Sequence, residues 1–381
     1  MNILEITTFL KGGSGSFVTE LSIGFKRKGH NVDVISSGKL EGMSDWEELV
    51  NRLQFEGINC YNLNFFKREG HIFWEEVQKL SNHLNTNKYD IIHVQAGVPA
   101  FAANVARNIS GLRIPIVSTF HSWSPTRPVW MNIADAWSFN QCDIVCFVSN
   151  AYEQIGKRYG IKAETKVIYP GLCINPHNYI NNKELLREKI RTRHGLHKEA
   201  KIIIQVAEIS ERKGQLDLIK ALNLLNQNDV YLFIVGNNKD YNGYYKLLLN
   251  EIKKLSLEQQ VVFTGWIEDP YEYVASSDLF VFPSYNEGLG LAILESVILQ
   301  VPTIFSNIEG TNDISNILGD LHCGTFSPGD VTAIAKLIED KLFEEVNPEK
   351  LIKASKLIKE TFSYDKTIND YEFLFKQLLD K

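Results

Sequence analysis

The chain has 381 residues, of which 44% are hydrophobic and 23% are charged, so it is long enough to form two hydrophobic cores. Its formal net charge of -6 and its sequence pI of about 5.9 provide no basic field for binding nucleic acid. No apolar run approaches the roughly 20 residues needed to cross a bilayer, and the first residues lack the pattern of a signal peptide. We therefore expect a cytoplasmic protein, placed at most peripherally at the inner face of the membrane, with its five scattered cysteines reduced.

Short β-branched runs alternate with longer amphipathic segments through the first half of the chain. Strands are predicted over residues 2–7, 31–36, 60–65, 89–96, 114–121, 143–149 and 165–170. Between the first two strands, Phe17, Leu21 and Phe25 recur at helical spacing. Near-continuous apolar strands with helices between them predict a parallel sheet covered on both faces.

The alternation stops at residues 170–200, which are polar and charged, and this segment is predicted to be a linker and the entry to a second domain. Further strands are predicted over residues 201–208, 230–236, 260–266, 279–284 and 303–306, and the last segments have helical spacing. The pattern predicts two α/β domains in tandem. Ligands bind outside the carboxyl ends of parallel strands, so two such domains facing each other would form one cleft.

A glycine-rich stretch, KGGSGSFVTEL, follows the first strand and opens a helix. Gly12, Gly13 and Gly15 leave backbone amides bare, and such amides at a helix start can hold an anion. The stretch lacks the third glycine of a dinucleotide fingerprint and has no Gly-Lys-Ser/Thr. On the residues alone, an anion site and a tight turn without a ligand stay equally open.

The stretch NEGLGLAILESVILQVP places Glu287 and Glu295 eight positions apart, with Gly288 and Gly290 beside the first glutamate. A helix is predicted to begin near Gly290, which leaves Glu287 in the loop after a strand and Glu295 on the helix. The amides from Gly288 to Leu291 would lie near the helix N-terminus, where a diphosphate is favoured. The alternative is a charge at a helix start together with one exposed glutamate.

This glutamate pair resembles the E-x7-E signature of retaining nucleotide-sugar glycosyltransferases of family 4 (glycosyl transferases group 1), which have the GT-B fold. Further segments resemble this family in order and spacing: GGSGSFVTELSIGFKRKGHNVDV, YDIIHVQ, IPIVSTFH, ERKGQLDLIKAL, VVFTGWI and CGTFSPGDVTAIAKLI. The resemblance covers nearly all of the chain. It implies two Rossmann-like domains whose parallel sheets face each other across a cleft.

The resemblance implies catalytic roles for His121, Lys213 and Glu287. It implies donor contacts from twelve positions: Gly12, Gly13, Arg212, Lys213, Trp266, Ile267, Glu287, Gly288, Leu289, Gly290, Leu291 and Glu295.

Within this set, the resemblance implies that Glu287 binds hydroxyls of the donor sugar and Glu295 those of the ribose. Lys213, helped by Arg212, would neutralise the diphosphate, and His121 would lie near the transferred sugar. Trp266 and Ile267 would frame the base, while Gly12 and Gly13 would approach the diphosphate or the acceptor.

The resemblance also predicts domain boundaries. An acceptor-side domain would span residues 1–172, a nucleotide-sugar domain 173–362, and a C-terminal helix over 363–381 would return to the first domain. Trp123 and Arg127, in HSWSPTRPVW, are tentative acceptor contacts, and Trp130 lies in the same stretch.

The expected reaction is transfer of a hexose, with retention, from a UDP-sugar such as UDP-glucose to a glycan, lipid-linked or small-molecule hydroxyl. GDP and ADP donors stay open. No cofactor is expected, and because no Asp-x-Asp occurs in the sequence, no metal is predicted.

One departure from the family pattern stands beside the site. The family usually has an arginine five residues before Lys213, where this chain has Glu208. Arg212 can supply the missing charge, Glu208 can point away, or phosphate binding can be weaker. Two other functions stay open: a nucleotide-sugar hydrolase or epimerase on the same fold, and a non-catalytic partner subunit.

Overall fold

The computed structural model of the protein describes residues 1–39, 46–65, 69–123, 127–237, 243–344 and 347–380. The chain divides into two compact units. The first unit is Met1–Gly171 together with Phe362–Lys381, and the second unit is Leu172–Thr361.

The first unit contains a parallel sheet whose strands, in spatial order, are β3-β2-β1-β4-β5-β6-β7. Its strands are β1 (Asn2–Ile6), β2 (Asn31–Ser36), β3 (Asn59–Asn62), β4 (Ile91–Gln95), β5 (Ile116–Phe120), β6 (Ile144–Phe147) and β7 (Thr165–Val167). Its first helices are α1 (Gly12–Arg27), α2 (Trp46–Phe55), α3 (Gly70–Thr86), α4 (Gly97–Ser110), α5 (Val129–Phe139) and α6 (Asn150–Arg158).

The second unit contains a parallel sheet in the order β10-β9-β8-β11-β12-β13. Its strands are β8 (Lys201–Val206), β9 (Val230–Val235), β10 (Val261–Gly265), β11 (Leu279–Phe282), β12 (Thr303–Ser306) and β13 (Gly324–Phe326). Its helices are α7 (His177–Ile180), α8 (Lys183–Arg193), α9 (Gln215–Leu225), α10 (Tyr244–Lys254), α11 (Tyr271–Ser276), α12 (Leu291–Ile298), α13 (Asn312–Leu318), α14 (Val331–Phe343) and α15 (Pro348–Thr361). Short 3-10 segments lie at Glu211–Lys213, Glu309–Thr311 and Gly319–Leu321.

The last helix, α16 (Tyr364–Leu379), packs within the first unit. Its residues Tyr371 and Phe375 are fully buried among side chains of α1, β2 and β4. The central strands of the sheet are covered on both faces, and every residue of β4 and β5 is buried. The predicted class, two Rossmann-like domains with parallel sheets, is therefore confirmed.

Two parts of the second unit differ from the sequence prediction. The polar stretch predicted to be a linker and a domain entry contains α7 and α8, and α8 is anchored because Arg191 donates to Asp278 at 2.8 Å and to the carbonyl of Ala200. Strand β13 was not predicted because its three residues begin with a glycine and contain too little apolar pattern to distinguish them from a loop.

In each sheet the strand order reverses beside the first strand of the unit, between β1 and β4 and again between β8 and β11. Ligands of open parallel sheets bind at such switch points, outside the carboxyl ends of the strands. In the second unit the loops after β8 and β11 touch, because a Cβ on Gly214 would lie 2.0 Å from the carbonyl oxygen of Pro283. Gly214 also has φ +69°, so the chain requires glycine there.

Within the described ranges, none of the helices combines the length and the apolar character that crossing a membrane requires.

Candidate active site

A buried ion pair lies at the switch point of the second unit. Lys213 ends the 3-10 segment after β8, and Glu287 lies in the loop after β11. The Lys213 Nζ is 2.5 Å from the Glu287 Oε1, and the Ser284 Oγ donates to the same carboxylate oxygen at 2.6 Å. Both charged side chains are only 11% exposed. Lys213 and Glu287, which were both predicted to bind the donor, are therefore in direct contact.

Burial is the main reason why the pKa of Lys213 lies below its usual value of 10.5, and Glu287 opposes this shift. A buried ammonium needs an anionic partner, because desolvation is costly for an unpaired charge. The Lys213 Nζ also lies 5.2 Å from the centre of the Phe282 ring. The ring and the Glu287 carboxylate therefore both stabilise the charged form of Lys213.

Backbone hydrogen bonds fix the loop that carries this lysine. The carbonyl of Arg212 accepts from the Tyr285 backbone N–H at 2.8 Å. The Gln205 side chain donates to the carbonyl of Lys213 at 2.7 Å. These hydrogen bonds therefore bring together Lys213 and Glu287, which lie 74 residues apart in sequence. Ser284 was missed as a site residue, although it ends the predicted strand that leads to Glu287.

The unusual Glu208 pairs with Arg212. The Arg212 Nη2 donates to the Glu208 Oε1 at 2.7 Å, and the Nη1 donates to the carbonyl of Asn286 at 3.3 Å. The Nη1 also lies 3.9 Å from the Glu287 Oε1. The sequence left open that Arg212 supplies the missing positive charge. Arg212 does lie near the Lys213–Glu287 pair, but its guanidinium is already hydrogen-bonded to Glu208.

A glycine-rich turn leads from Glu287 into α12. Leu289 is buried, and Gly290 precedes the helix with φ +94°. The helix begins at Leu291, as predicted, and its first turn contains no acidic side chain. The segment after β12 passes close to this turn at Gly310, where a Cβ would lie 1.8 Å from the carbonyl oxygen of Glu287.

Glu295 lies on α12 and has a tyrosine partner. The Tyr271 hydroxyl donates to the Glu295 Oε1 at 3.0 Å. Burial raises the pKa of Glu295, and the hydrogen bond from Tyr271 opposes the rise. The Tyr271 ring lies edge-on to Tyr179, whose hydroxyl donates to Asp269 at 2.9 Å. Tyr271 is separated from Glu295 by 24 positions, so no local motif could identify it.

The predicted base contacts lie after β10. That strand ends at Gly265, and Trp266 is 49% exposed while Ile267 is partly buried. An exposed indole can stack on a planar ring, but the roles of Trp266 and Ile267 stay predictions.

In the first unit, Gly12 and Gly13 form the first turn of α1 and are exposed. A Cβ on either residue would meet no heavy atom within 4 Å, and Gly12 has φ +59°. Gly15 is different, because a Cβ there would lie 2.7 Å from the Leu10 backbone. Close packing therefore explains Gly15, whereas Gly12 and Gly13 are exposed at the edge formed by the carboxyl ends of the strands, which we call the ligand edge.

His121 follows β5 and is held by Gln95. The His121 Nε2 lies 2.8 Å from the Gln95 Oε1. The Gln95 amide nitrogen is 3.4 Å from the Glu5 carboxylate, which orients the amide oxygen toward the histidine. The Nε2 therefore carries the proton, and the Nδ1 is left as a hydrogen-bond acceptor. Burial and the neighbouring His93 lower the pKa of His121 to about 4, so the imidazole is neutral at pH 7.

A fully buried polar network lies behind Gln95. His93 lies 2.8 Å from Glu5 and 2.7 Å from the Thr119 hydroxyl, which is 2.8 Å from the Tyr371 hydroxyl. This network connects β1, β4 and β5 to α16. It was missed in the sequence, although Glu5 is conspicuous as a carboxylate in an apolar strand.

Trp123 and Arg127, the tentative acceptor contacts, both bind Asp135 within the first unit. Trp123 is buried, its indole N–H donates to the Asp135 Oδ2 at 3.0 Å, and Arg127 pairs with the same carboxylate. Trp130 is exposed. Residues 124–126 of the predicted acceptor stretch lie outside the described residues. In the described part of the chain, no group of three His, Cys, Asp or Glu residues is arranged to hold a metal ion.

Two family models match consecutive parts of the chain. The model "Glycosyltransferase Family 4" matches residues 11–175, and the model "Glycosyl transferases group 1" matches residues 186–358. The fold and these matches define a GT-B glycosyltransferase. The chain belongs to glycosyltransferase family 4, and it is a transferase enzyme.

Among characterised relatives, the chain is similar to N-acetyl-alpha-D-glucosaminyl L-malate synthase from Bacillus anthracis, with 24% identity over 97% of this chain and 94% of the relative. It is also similar to the UDP-Gal:alpha-D-GlcNAc-diphosphoundecaprenol alpha-1,3-galactosyltransferase of Escherichia coli, with 27% identity over 71% of this chain and 70% of the relative. Among solved structures, Anabaena HepE in complex with UDP and glucose superposes with a TM-score of 0.84, at 20% identity and 99% coverage of both chains. That structural likeness shows the fold.

The lowered pKa of His121 predicts a pH effect on stability. The unfolded state, with a histidine pKa of about 6.5, binds the proton more readily than the folded state, so acid favours unfolding. Between pH 7 and pH 5, titration of His121 should lower the free energy of unfolding by about 2 kcal/mol. We expect His121→Asn to lose that part of the pH dependence, as measured by urea unfolding at both pH values.

The matched control is His71→Asn, which changes a histidine of the same unit whose side chain is 71% exposed. It should keep the wild-type pH dependence. An identical loss of stability on acidification in wild type and His121→Asn would contradict the assignment of a partly buried imidazole that is neutral at pH 7.

Proposed function

We propose that this glycosyltransferase moves a hexose, with retention and without a metal ion, from a UDP-sugar such as UDP-glucose to a hydroxyl of a glycan, lipid-linked or small-molecule acceptor. The observation that carries the proposal is the buried pair of Lys213 and Glu287 beside the N-terminus of α12. Two relatives support the donor class, because HepE was solved with UDP and glucose and the Escherichia coli enzyme uses UDP-galactose.

The diphosphate is proposed to bind between Lys213 and the turn from Gly288 to Leu291. The amides at the start of α12 point out of the helix, and the helix dipole adds partial positive charge there. Lys213 is already desolvated, so it gives up little hydration when a phosphate replaces part of its contact with Glu287. As the nucleoside diphosphate leaves, its negative charge grows where these positive groups are already positioned.

The two glutamates are proposed to hold hydroxyls, with Glu287 on the donor sugar and Glu295 on the ribose. Lys213 and Ser284 both bind the Oε1 of Glu287, which leaves acceptor capacity on its second oxygen. A carboxylate held in this way positions the sugar and is poorly placed to act as a nucleophile. Retention would then follow from attack on the same face as the leaving phosphate, as the family resemblance implies.

His121 is proposed to contact the transferred sugar. Its neutral imidazole offers the unprotonated Nδ1 as an acceptor for a sugar hydroxyl. Trp266 and Ile267 are proposed to contact the base, and Gly12 and Gly13 the diphosphate or the acceptor.

Donor binding tests this proposal directly. Thermal unfolding would be measured with UDP, GDP, ADP and their glucose conjugates, for wild type and Glu295→Gln. A ligand at about 100 times its dissociation constant stabilises the folded state by roughly 2.7 kcal/mol. We expect UDP and UDP-glucose to stabilise wild type, and Glu295→Gln to show a smaller effect because a neutral amide binds the ribose hydroxyls more weakly.

Glu258→Gln is the control for this experiment, because Glu258 is an exposed carboxylate of the same unit on the loop after α10. It should respond like wild type. The donor proposal would be abandoned if no nucleotide stabilised the well-folded protein, or if Glu295→Gln responded to UDP-glucose as fully as wild type.

The pairing of Glu208 with Arg212 generates a second prediction. Replacing Glu208 with glutamine frees the guanidinium and removes a negative charge near the expected diphosphate. Since a charge interaction at about 4 Å in water contributes roughly 1 kcal/mol, UDP should bind about fivefold more tightly to Glu208→Gln. Titration calorimetry would measure this change.

The control is Glu211→Gln, which alters the net charge equally at an exposed position of the 3-10 segment that contains Arg212. We expect it to change UDP affinity less than Glu208→Gln does. Equal effects of the two substitutions would mean that the pairing with Arg212 does not limit donor binding.

A further inference from the structure

A large apolar pocket lies within the first unit. Its volume is about 1250 Å³, above the roughly 300–1,000 Å³ of common small-molecule sites. Six aromatic side chains are part of its lining: Phe9, Phe65, Phe73, Phe101, Trp130 and Trp137.

The aromatic side chains of the pocket wall contact one another across three helices. The rings of Phe73 on α3 and Phe101 on α4 stack with their centres 5.7 Å apart, and Phe101 lies 5.9 Å from Trp137 on α5. Trp130 is 68% exposed and Trp137 is 56% exposed. Contiguous exposed aromatic surface of this kind indicates a binding site for apolar groups.

The polar groups in the lining are already engaged. The Asp135 carboxylate accepts hydrogen bonds from Trp123 and Arg127, and the Ser138 hydroxyl donates to the carbonyl of Ala134 at 3.0 Å. The pocket therefore has few polar groups to offer a hydrophilic ligand. Its chemistry fits a hydrocarbon chain, which needs no hydrogen-bond partner.

The pocket reaches the ligand edge of the first unit. Phe9 lies between the end of β1 and Gly12, and Gly97 opens α4 directly after β4, so the lining includes both sides of the switch point. A Cβ on Gly97 would lie 2.1 Å from the Asp135 carboxylate, which shows how closely α4 meets the helix that carries Trp130 and Trp137. The pocket is therefore built from closely packed elements at the edge where parallel sheets bind ligands.

We propose that this pocket binds the hydrocarbon chain of an amphipathic acceptor, whose hydroxyl-bearing head group receives the sugar. The inference rests on the proposed function for the identity of the reaction, and it narrows the acceptor to molecules that carry a long alkyl or polyprenyl chain. Each methylene buried in the pocket should tighten binding by about two- to fourfold.

Quenching of tryptophan fluorescence by alkyl maltosides with a brominated chain tests the pocket, because bromine quenches only nearby indoles. Chains of increasing length would be titrated below their micelle concentrations. We expect saturable quenching in wild type, with a dissociation constant that falls about two- to fourfold per methylene.

Two variants of neighbouring exposed residues on α5 provide a matched comparison. Ala134→Arg places a charge in the pocket lining, whereas Ile133→Arg adds the same charge at a position that does not line the pocket. Ala134→Arg should weaken chain binding at least tenfold, and Ile133→Arg should leave it close to wild type. Val98→Arg, at another exposed lining position, repeats the test if Ala134→Arg fails to fold.

Absence of quenching at every chain length would overturn the pocket proposal. It would also be overturned if Ala134→Arg and Ile133→Arg weakened chain binding equally, because that result would indicate general adsorption to the surface. UDP-glucose stabilisation would be measured on the same samples. Chain binding without donor binding would overturn the proposed function and leave the hydrocarbon site standing, whereas donor binding without chain binding would overturn only the inference about the acceptor.

Discussion

The buried ion pair between Lys213 and Glu287 is the interaction on which the ligand edge of the second unit depends. Taking both charges out of water is costly, and the pair alone seldom repays that cost. The surrounding loops maintain it, since Ser284 donates to the Glu287 carboxylate and the Tyr285 backbone N–H donates to the carbonyl of Arg212. A glycine at 214 lets the two loops approach closely enough for the charges to meet. An arrangement kept at such a cost is typical of a functional site.

The first unit uses polar burial for a different purpose. Glu5, His93 and Thr119 form a hydrogen-bonded series across β1, β4 and β5, and Tyr371 extends it to α16. Gln95 is oriented by Glu5 and in turn sets the tautomer of His121. The C-terminal helix therefore contributes to the interior of the unit that begins at the N-terminus, and it supports the strands that end at the ligand edge.

Much of the fold could be predicted from the sequence because parallel strands covered on both faces are nearly continuous apolar runs. The start of α12 could also be placed, since Gly290 stands between a loop carboxylate and an apolar helix. Strand β13 and helix α8 could not be predicted. The strand is too short to show a pattern, and the helix is polar on most of its surface. The pairing of Glu208 with Arg212 depends on side-chain direction, which residue spacing alone does not determine.

The site shows the same limit. Glu287, Lys213 and Glu295 were identified through a family resemblance, and the contact between the first two is observed. Tyr271 and Gln95 were missed as partners of Glu295 and His121, because each lies far from its partner in the chain. Packing of α11 against α12 brings Tyr271 to Glu295, and pairing of β4 with β5 brings Gln95 to His121. The aromatic pocket was also invisible in the sequence, since its lining extends from Phe9 to Ser138 and is assembled only by packing.

Titration calorimetry of UDP-glucose with wild type, Lys213→Met and Lys253→Met tests the central claim that the buried pair is the donor site. Lys253 is an exposed lysine of the same unit. Since hydrogen bonds to charged groups contribute about 1.5–3 kcal/mol, Lys213→Met should weaken binding about 10- to 100-fold, and Lys253→Met should leave it unchanged. Wild-type affinity in Lys213→Met would contradict the account.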